Sequence, residues 1–288
     1  MSSAASDVYK RQIINISYET SYYFSSNVPR LVQSIMLYPT ECNNQKVIKC
    51  DIHTSKGELI EVPKDALGHK LFNIYNKNIS EPQTISMKST VETKDYYGVM
   101  KGLDESVHPH CFLRQTKLTQ PDKKMLSILN NKVEKNSVDF CHTLNGVVST
   151  SIKYVSGSTD INTTAADAIS LGTGVCQDFS HILVGLARYC GYPARYVNGF
   201  MLDETDIASR DTHAWVEIFI DNLGWVGFDP CHSNCIDERY VRVGCGYDFS
   251  YTSMIKGVKT NFNGNELLSH ELTCLLYTSD AADDIRCV

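Results

Sequence analysis

The 288 residues predict an α+β protein, with an N-terminal antiparallel β-sandwich followed by a domain in which helices lead into further strands. Three observations carry this. Up to about residue 99 the chain is a series of short runs rich in Ile, Val, Tyr and Thr, many of them alternating apolar with polar. From Pro121 the apolar residues recur at helical spacing. After Gly191 strand-like runs return.

In chain order, the first region (13–100) offers INISYETSYYF, LVQSIMLYP, KVIKCDIHTS, GELIEVP, HKLFNIYN and TISMKSTVET as strands. SSNVP, TECNNQ, SKG and NKNISEP separate them as turns. Runs at this spacing fit an antiparallel sandwich. Residues 101–120, with the loop-like GLDESVHPH, read as the connection. The second region (121–273) opens on PDKKMLSILNNKVEK, where Pro121 and Asp122 are start signals and Met125, Ile128, Leu129 and Val133 form an apolar stripe. VDFCHTLNGVVSTSIKYV continues the helical pattern. TTAADAISLG is a short helix capped by Thr163 or Thr164 and stopped at Gly172. In GTGVCQDFSHILVGLARYCG the stripe Phe179, Ile182, Leu183, Leu186 and Cys190 marks a core helix ended by Gly191. ARYVNGFML, HAWVEIFI and GWVGFDP follow as strands. The end segments 1–12 and 274–288 are Ser/Ala/Asp-rich, read as translated adapter sequence, and are set aside from the fold.

Composition excludes several classes. With 42% hydrophobic and 21% charged residues the chain can form a packed core rather than stay disordered. A formal charge of −6 argues against nucleic acid or an anionic membrane as partner. No apolar run reaches the roughly 18 residues that a membrane span needs. Eleven cysteines without regular spacing read as reduced thiols, which points to a cytoplasmic protein. Only Cys231, His232 and Cys235 in PCHSNC are close enough to raise a metal, and the second ligand pair of a zinc site is absent nearby, so no metal or other cofactor is expected.

The chemistry gathers at three residues. Cys176 opens the core helix straight after a glycine loop, where the helix dipole and unsatisfied N–H groups favour a thiolate and could bind an oxyanion. His213 opens the strand HAWVEIFI and Asp229 closes GWVGFDP, with the turn-rich DNLG between. A three-residue loop would pair His213 with position 231 and leave Asp229 as its diagonal neighbour on the same face. A carboxylate there fixes the imidazole tautomer and stabilises imidazolium, as a catalytic base requires. Singly, each residue also has a bland reading as a core thiol, a strand-end histidine or a turn-starting aspartate. Their joint placement favours catalysis.

GTGVCQDFSHILVGLARYCGYPARYVNGF followed by DTHAWVEIFIDNLGWVGFDP closely resembles the core of the transglutaminase-like superfamily, in its bacterial cysteine-peptidase branch. The likeness extends upstream through IKYVSGSTDINTTAADAI, downstream to GYDFSYTSMIKGV, and into the first region through VPRLVQSIMLYP, Gln45-Lys46-Val47 and DALGHKLF. The resemblance implies a papain-like second domain, with Cys176 as nucleophile, His213 as general base and acid, and Asp229 as orienting carboxylate. Tyr247 stands before Asp248 where the family commonly has Arg, and DPCHSNC is cysteine-rich where Thr or Ser is usual.

A Cys–His–Asp site performs acyl transfer, here read as hydrolysis of a peptide or protein amide. Transfer to an amine, and a non-catalytic binding protein keeping this fold, are the alternatives. Among the other polar residues, His181, Arg195 and Asp248 read as structural, Asp178 as serving the first helical turn, Glu217 as solvent-facing, and Tyr154 as a second oxyanion donor.

Overall fold

The computed structural model describes residues 11–129, 137–202 and 211–276. Six strands come first: β1 (Arg11–Phe24), β2 (Val28–Ile35), β3 (Gln45–Thr54), β4 (Glu58–Val62), β5 (Leu71–Ile79) and β6 (Gln83–Lys94). The helical part holds α1 (Lys123–Leu126), α2 (Val138–Ser149), β7 (Lys153–Tyr154), α3 (Ala165–Leu171), β8 (Thr173–Gly174) and α4 (Cys176–Tyr189). Then follow β9 (Ala194–Met201), β10 (His213–Ile220), β11 (Gly224–Asp229), β12 (Asn234–Cys235), β13 (Tyr240–Gly246), α5 (Phe249–Thr252), β14 (Ile255–Thr260) and β15 (Glu266–Leu276).

The first half is a sandwich of two antiparallel four-stranded sheets, ordered β15-β1-β6-β3 and β14-β2-β5-β4. Alternation drives it. Along β1, Ile14, Ile16, Tyr18, Thr20 and Tyr22 are buried and face Ile35, Phe72 and Ile74 of the other sheet across a shared core. The outermost strand of each sheet comes from the far end of the described chain. Residues 255–273, placed with the second region on sequence, therefore complete the first. Arg11, Gln12 and residues 274–276, set aside on composition, lie in paired strands, with Arg11 opposite Lys94 and Cys274 opposite Ile16. Local composition carries no information about a pairing partner some 250 positions away.

The second half packs helices on a five-stranded antiparallel sheet, β12-β11-β10-β9-β13. Ala214, Val216 and Ile218 of β10 meet α4, which is buried from Asp178 to Arg188. Trp215 points the other way into a second cluster with Phe112, Trp225 and Tyr240. Phe112 comes from a 3-10 turn at Pro109–Leu113, so the 101–120 connection is a packed wedge against the sheet. Asp122 caps α1 by accepting the Met125 amide at 2.7 Å, and Val133 lies outside the described residues. The helical pattern read through to Val155 ends at Ser149, because Lys153 and Tyr154 are drawn into a parallel pair with Thr173 and Gly174. Thr164 and Asp167 form a capping box on α3, and Gly172 ends it in the left-handed conformation (φ 72°).

Glu217 corrects the sequence reading outright. It is fully buried, bonded to Arg195 Nε at 2.6 Å and Arg242 Nε at 2.9 Å, while Arg195 also reaches Glu105 at 2.6 Å and lies over the Trp225 ring. Both faces of this sheet are covered, so alternation along β10 does not separate core from solvent.

Candidate active site

The β10–β11 hairpin sets the site. Its loop is Asp221, Asn222 and Leu223, with Asn222 (φ 67°) and Gly224 (φ 89°) both in the left-handed region. Glycine has no Cβ penalty there, and asparagine has little. The turn fixes Ile220 opposite Gly224 and Val216 opposite Phe228. Continuing that register places Asp229 diagonally across from His213, and His213 Nε2 lies 2.6 Å from Asp229 Oδ2.

Cys176 is the first residue of α4. Val175 cannot cap the helix with its side chain, so the Asp178 carboxylate accepts the Val175 amide at 2.8 Å, and the Thr159 hydroxyl donates to Asp178 at 2.6 Å. Burial pushes the Asp178 carboxyl above its ordinary range. Within the strand, His213 points away from α4 on the Trp215 side, yet as the first residue of β10 it stands at the sheet's end. The N-terminus of α4 reaches over that end, leaving Cys176 Sγ 4.0 Å from the Thr212 carbonyl, next to His213. Both residues line one cleft of about 690 Å3, together with Tyr154, Gln177, Tyr196, Asn198, Asp211, Cys231, His232 and Phe249.

Asp229 is wholly buried. Its Oδ2 accepts from His213, from His232 Nδ1 at 2.8 Å and from the Tyr240 hydroxyl at 2.8 Å, and its Oδ1 accepts the amides of Cys231 (2.8 Å) and His232 (3.3 Å). Burial alone would favour a neutral carboxyl, but the two imidazoles outweigh it and hold Asp229 well below the usual carboxylate range. Burial likewise opposes charge on His213, yet the Asp229 carboxylate and then the Cys176 thiol raise the ring to about 10. The arrangement therefore favours imidazolium beside the sulfur, with Nε2 held by carboxylate and Nδ1 left for the thiol.

The other candidates sort by environment. His181 is fully buried, accepts the Phe249 amide through Nε2 at 3.2 Å, and is pushed down to about 4 by burial. Asp248 caps α5 through the Ser250 amide at 2.8 Å. Tyr154 is exposed on the cleft wall. Cys231 faces the cleft, whereas Cys235 packs beside Gly98. His232, Tyr240 and Asn145, whose amide donates to the carbonyls of Asp229 and Asn234, were missed as supports of Asp229. For His232 the signal was present, three positions after Asp229 across a proline turn. For Tyr240 and Asn145 no local signal existed.

Residues 128–230 match the family model described as Transglutaminase-like superfamily, so this segment is a transglutaminase-like core within a mixed α+β protein of papain-like fold. A solved structure titled as that of a "Putative Cysteine Protease from Cytophaga hutchinsonii" superposes with a TM-score of 0.76, covering 94% of this chain and 92% of that one at 20% identity. That likeness extends the shared fold through the sandwich half. An uncharacterized protein of Mycobacterium leprae is 31% identical over 121 residues, 40% of this chain and 43% of the relative. One of Mycobacterium tuberculosis is 27% identical over 154 residues, 50% of this chain and 49% of the relative. The chain thus spans about half the length of the curated relatives it matches.

Proposed function

We propose that the protein hydrolyses peptide or protein amides through an acyl-thioester on Cys176. The observation that carries this reading is His213, held at 2.6 Å by a buried Asp229 and facing the same cleft as a thiol at a helix N-terminus. In the reaction the Cys176 sulfur attacks the carbonyl carbon, and the oxyanion is met by the Cys176 amide at the start of α4. His213 gives its proton to the leaving nitrogen, then takes one from water as the thioester is opened, returning the thiol and a carboxylic acid. Asp229 keeps the ring oriented and charged.

Incubation with a peptide library, with and without an added primary amine, tests both the activity and the acceptor. Hydrolysed peptides in both conditions fit the proposal, and amine-coupled products as the main species would make the enzyme a transferase. Cys176→Ala should remove turnover and leave the fold intact, and Asp229→Asn should lower the rate by roughly four orders of magnitude, the scale known for the wrong tautomer. Full activity in Cys176→Ala would overturn the assignment.

A further inference from the structure

Asp229 Oδ2 is shared by two imidazoles. His213 Nε2 lies at 2.6 Å and His232 Nδ1 at 2.8 Å, the ring centroids are 5.3 Å apart, and the three ligand atoms all fall within 4.8 Å of one another. Orienting one catalytic histidine needs only one of these contacts. Two nitrogens and a carboxylate oxygen converging on one point are also the donor set of a borderline divalent cation. We propose that His213, His232 and Asp229 form a zinc-class metal site that holds the protein in a resting state. Zinc bonds of about 2.0–2.2 Å at tetrahedral angles put ligand atoms roughly 3.3 Å apart, so both hydrogen-bonded pairs must open, His232–Asp229 by about 0.5 Å and His213–Asp229 by about 0.7 Å. His232 can supply its share, because it sits on the turn after β11 with 44% of its side chain exposed. Asp229 is wholly buried, so the opening of its pair with His213 must come from a small rotation of the His213 ring, which lines the cleft. The three protein ligands leave a position for water. A cation there would replace the hydrogen bond between His213 and Asp229, and imidazole coordinated through Nε2 could no longer shuttle a proton with that carboxylate behind it. Removing the metal would restore the pair.

Zinc titration of the full chain by calorimetry tests the site without any substrate, so its outcome is independent of whether hydrolysis is the right reading. One ion per chain is expected, with affinity falling at least tenfold in His232→Ala. His232→Gln, which keeps an N–H donor for Asp229 but removes the ligand nitrogen, should lose affinity similarly while melting like the parent. Cobalt(II) should give ligand-field absorption without the intense thiolate charge-transfer bands, and Cys231→Ser and Cys235→Ser should bind like the parent. No stoichiometric binding, equal binding by His232→Ala, or charge-transfer bands that vanish in Cys231→Ser would each overturn the proposal.

Discussion

At the scale of single residues, three buried side chains of the second half tie stability to pH. His213 is raised to about 10, so its contribution is complete below the unfolded value of about 6.5 and is lost as pH climbs through 10. Asp229, held low, contributes above the ordinary carboxylate range and loses that contribution as pH falls below it. These two describe one ion pair and count once. His181 runs the other way from His213. Burial holds it neutral down to about 4, so acid between 6.5 and 4 removes about 3 kcal/mol as the unfolded chain takes the proton. Melting temperature against pH should therefore peak near 6.5. His213→Gln should flatten the alkaline limb between 6.5 and 10, and His181→Gln the acid limb between 6.5 and 4. An alkaline limb unchanged in His213→Gln would show that the pair does not stabilise the fold.

At the scale of elements, legibility followed the range of the interaction. The six early strands were readable because Ile14, Ile16 and Tyr18 alternate with polar residues against solvent. Helix α4 was readable because a glycine stop at Gly191 and an apolar stripe are local signals, and Cys176 at its first turn came with it. The hairpin register was readable because Asn222 and Gly224 announce a turn of fixed length. The central sheet was not readable in the same way. Its strands are covered on both sides, so nothing along β10 distinguishes the buried Glu217 from an exposed acid. Its partners Arg195 and Arg242 stand on β9 and β13, Glu105 joins through Arg195 from the connection, and only the folded sheet brings them together. That cluster joins β9, β10 and β13. Glu217→Gln would leave two buried guanidiniums without their shared carboxylate and should cost about 3–5 kcal/mol in urea unfolding. A loss below 1 kcal/mol would mean the arginines find other partners at little expense.

At the scale of the molecule, the two halves share interior. Phe200, Leu202, Val241 and Val243 of the cysteine-bearing half pack into the sandwich core. Gln45 of β3 gives its side-chain amide to the Arg242 carbonyl and accepts the Arg242 amide, both at 2.8 Å, imitating a strand partner for β13. His69, held by Asp65, accepts the Cys245 amide at 3.0 Å. Unfolding should accordingly be one transition, with fluorescence of Trp215 and Trp225 and far-ultraviolet dichroism coinciding. Truncation after Met254 should abolish both signals' cooperative change and the proposed hydrolysis, although Cys176, His213 and Asp229 all remain. A truncated chain that still cleaves amides would show the halves to be separable. The pairing of β1 with β15 bears on how the protein is made. A ribosome adding 5–20 residues each second needs on the order of ten seconds or more to travel from Phe24 to Glu266. Throughout that interval β1 waits with one row of amides and carbonyls bare, and β2 waits likewise for β14. The nascent chain therefore presents two open sheet margins while its cysteine-bearing half is being synthesised, a natural point for chaperone capture or for premature association between neighbouring chains on one polysome.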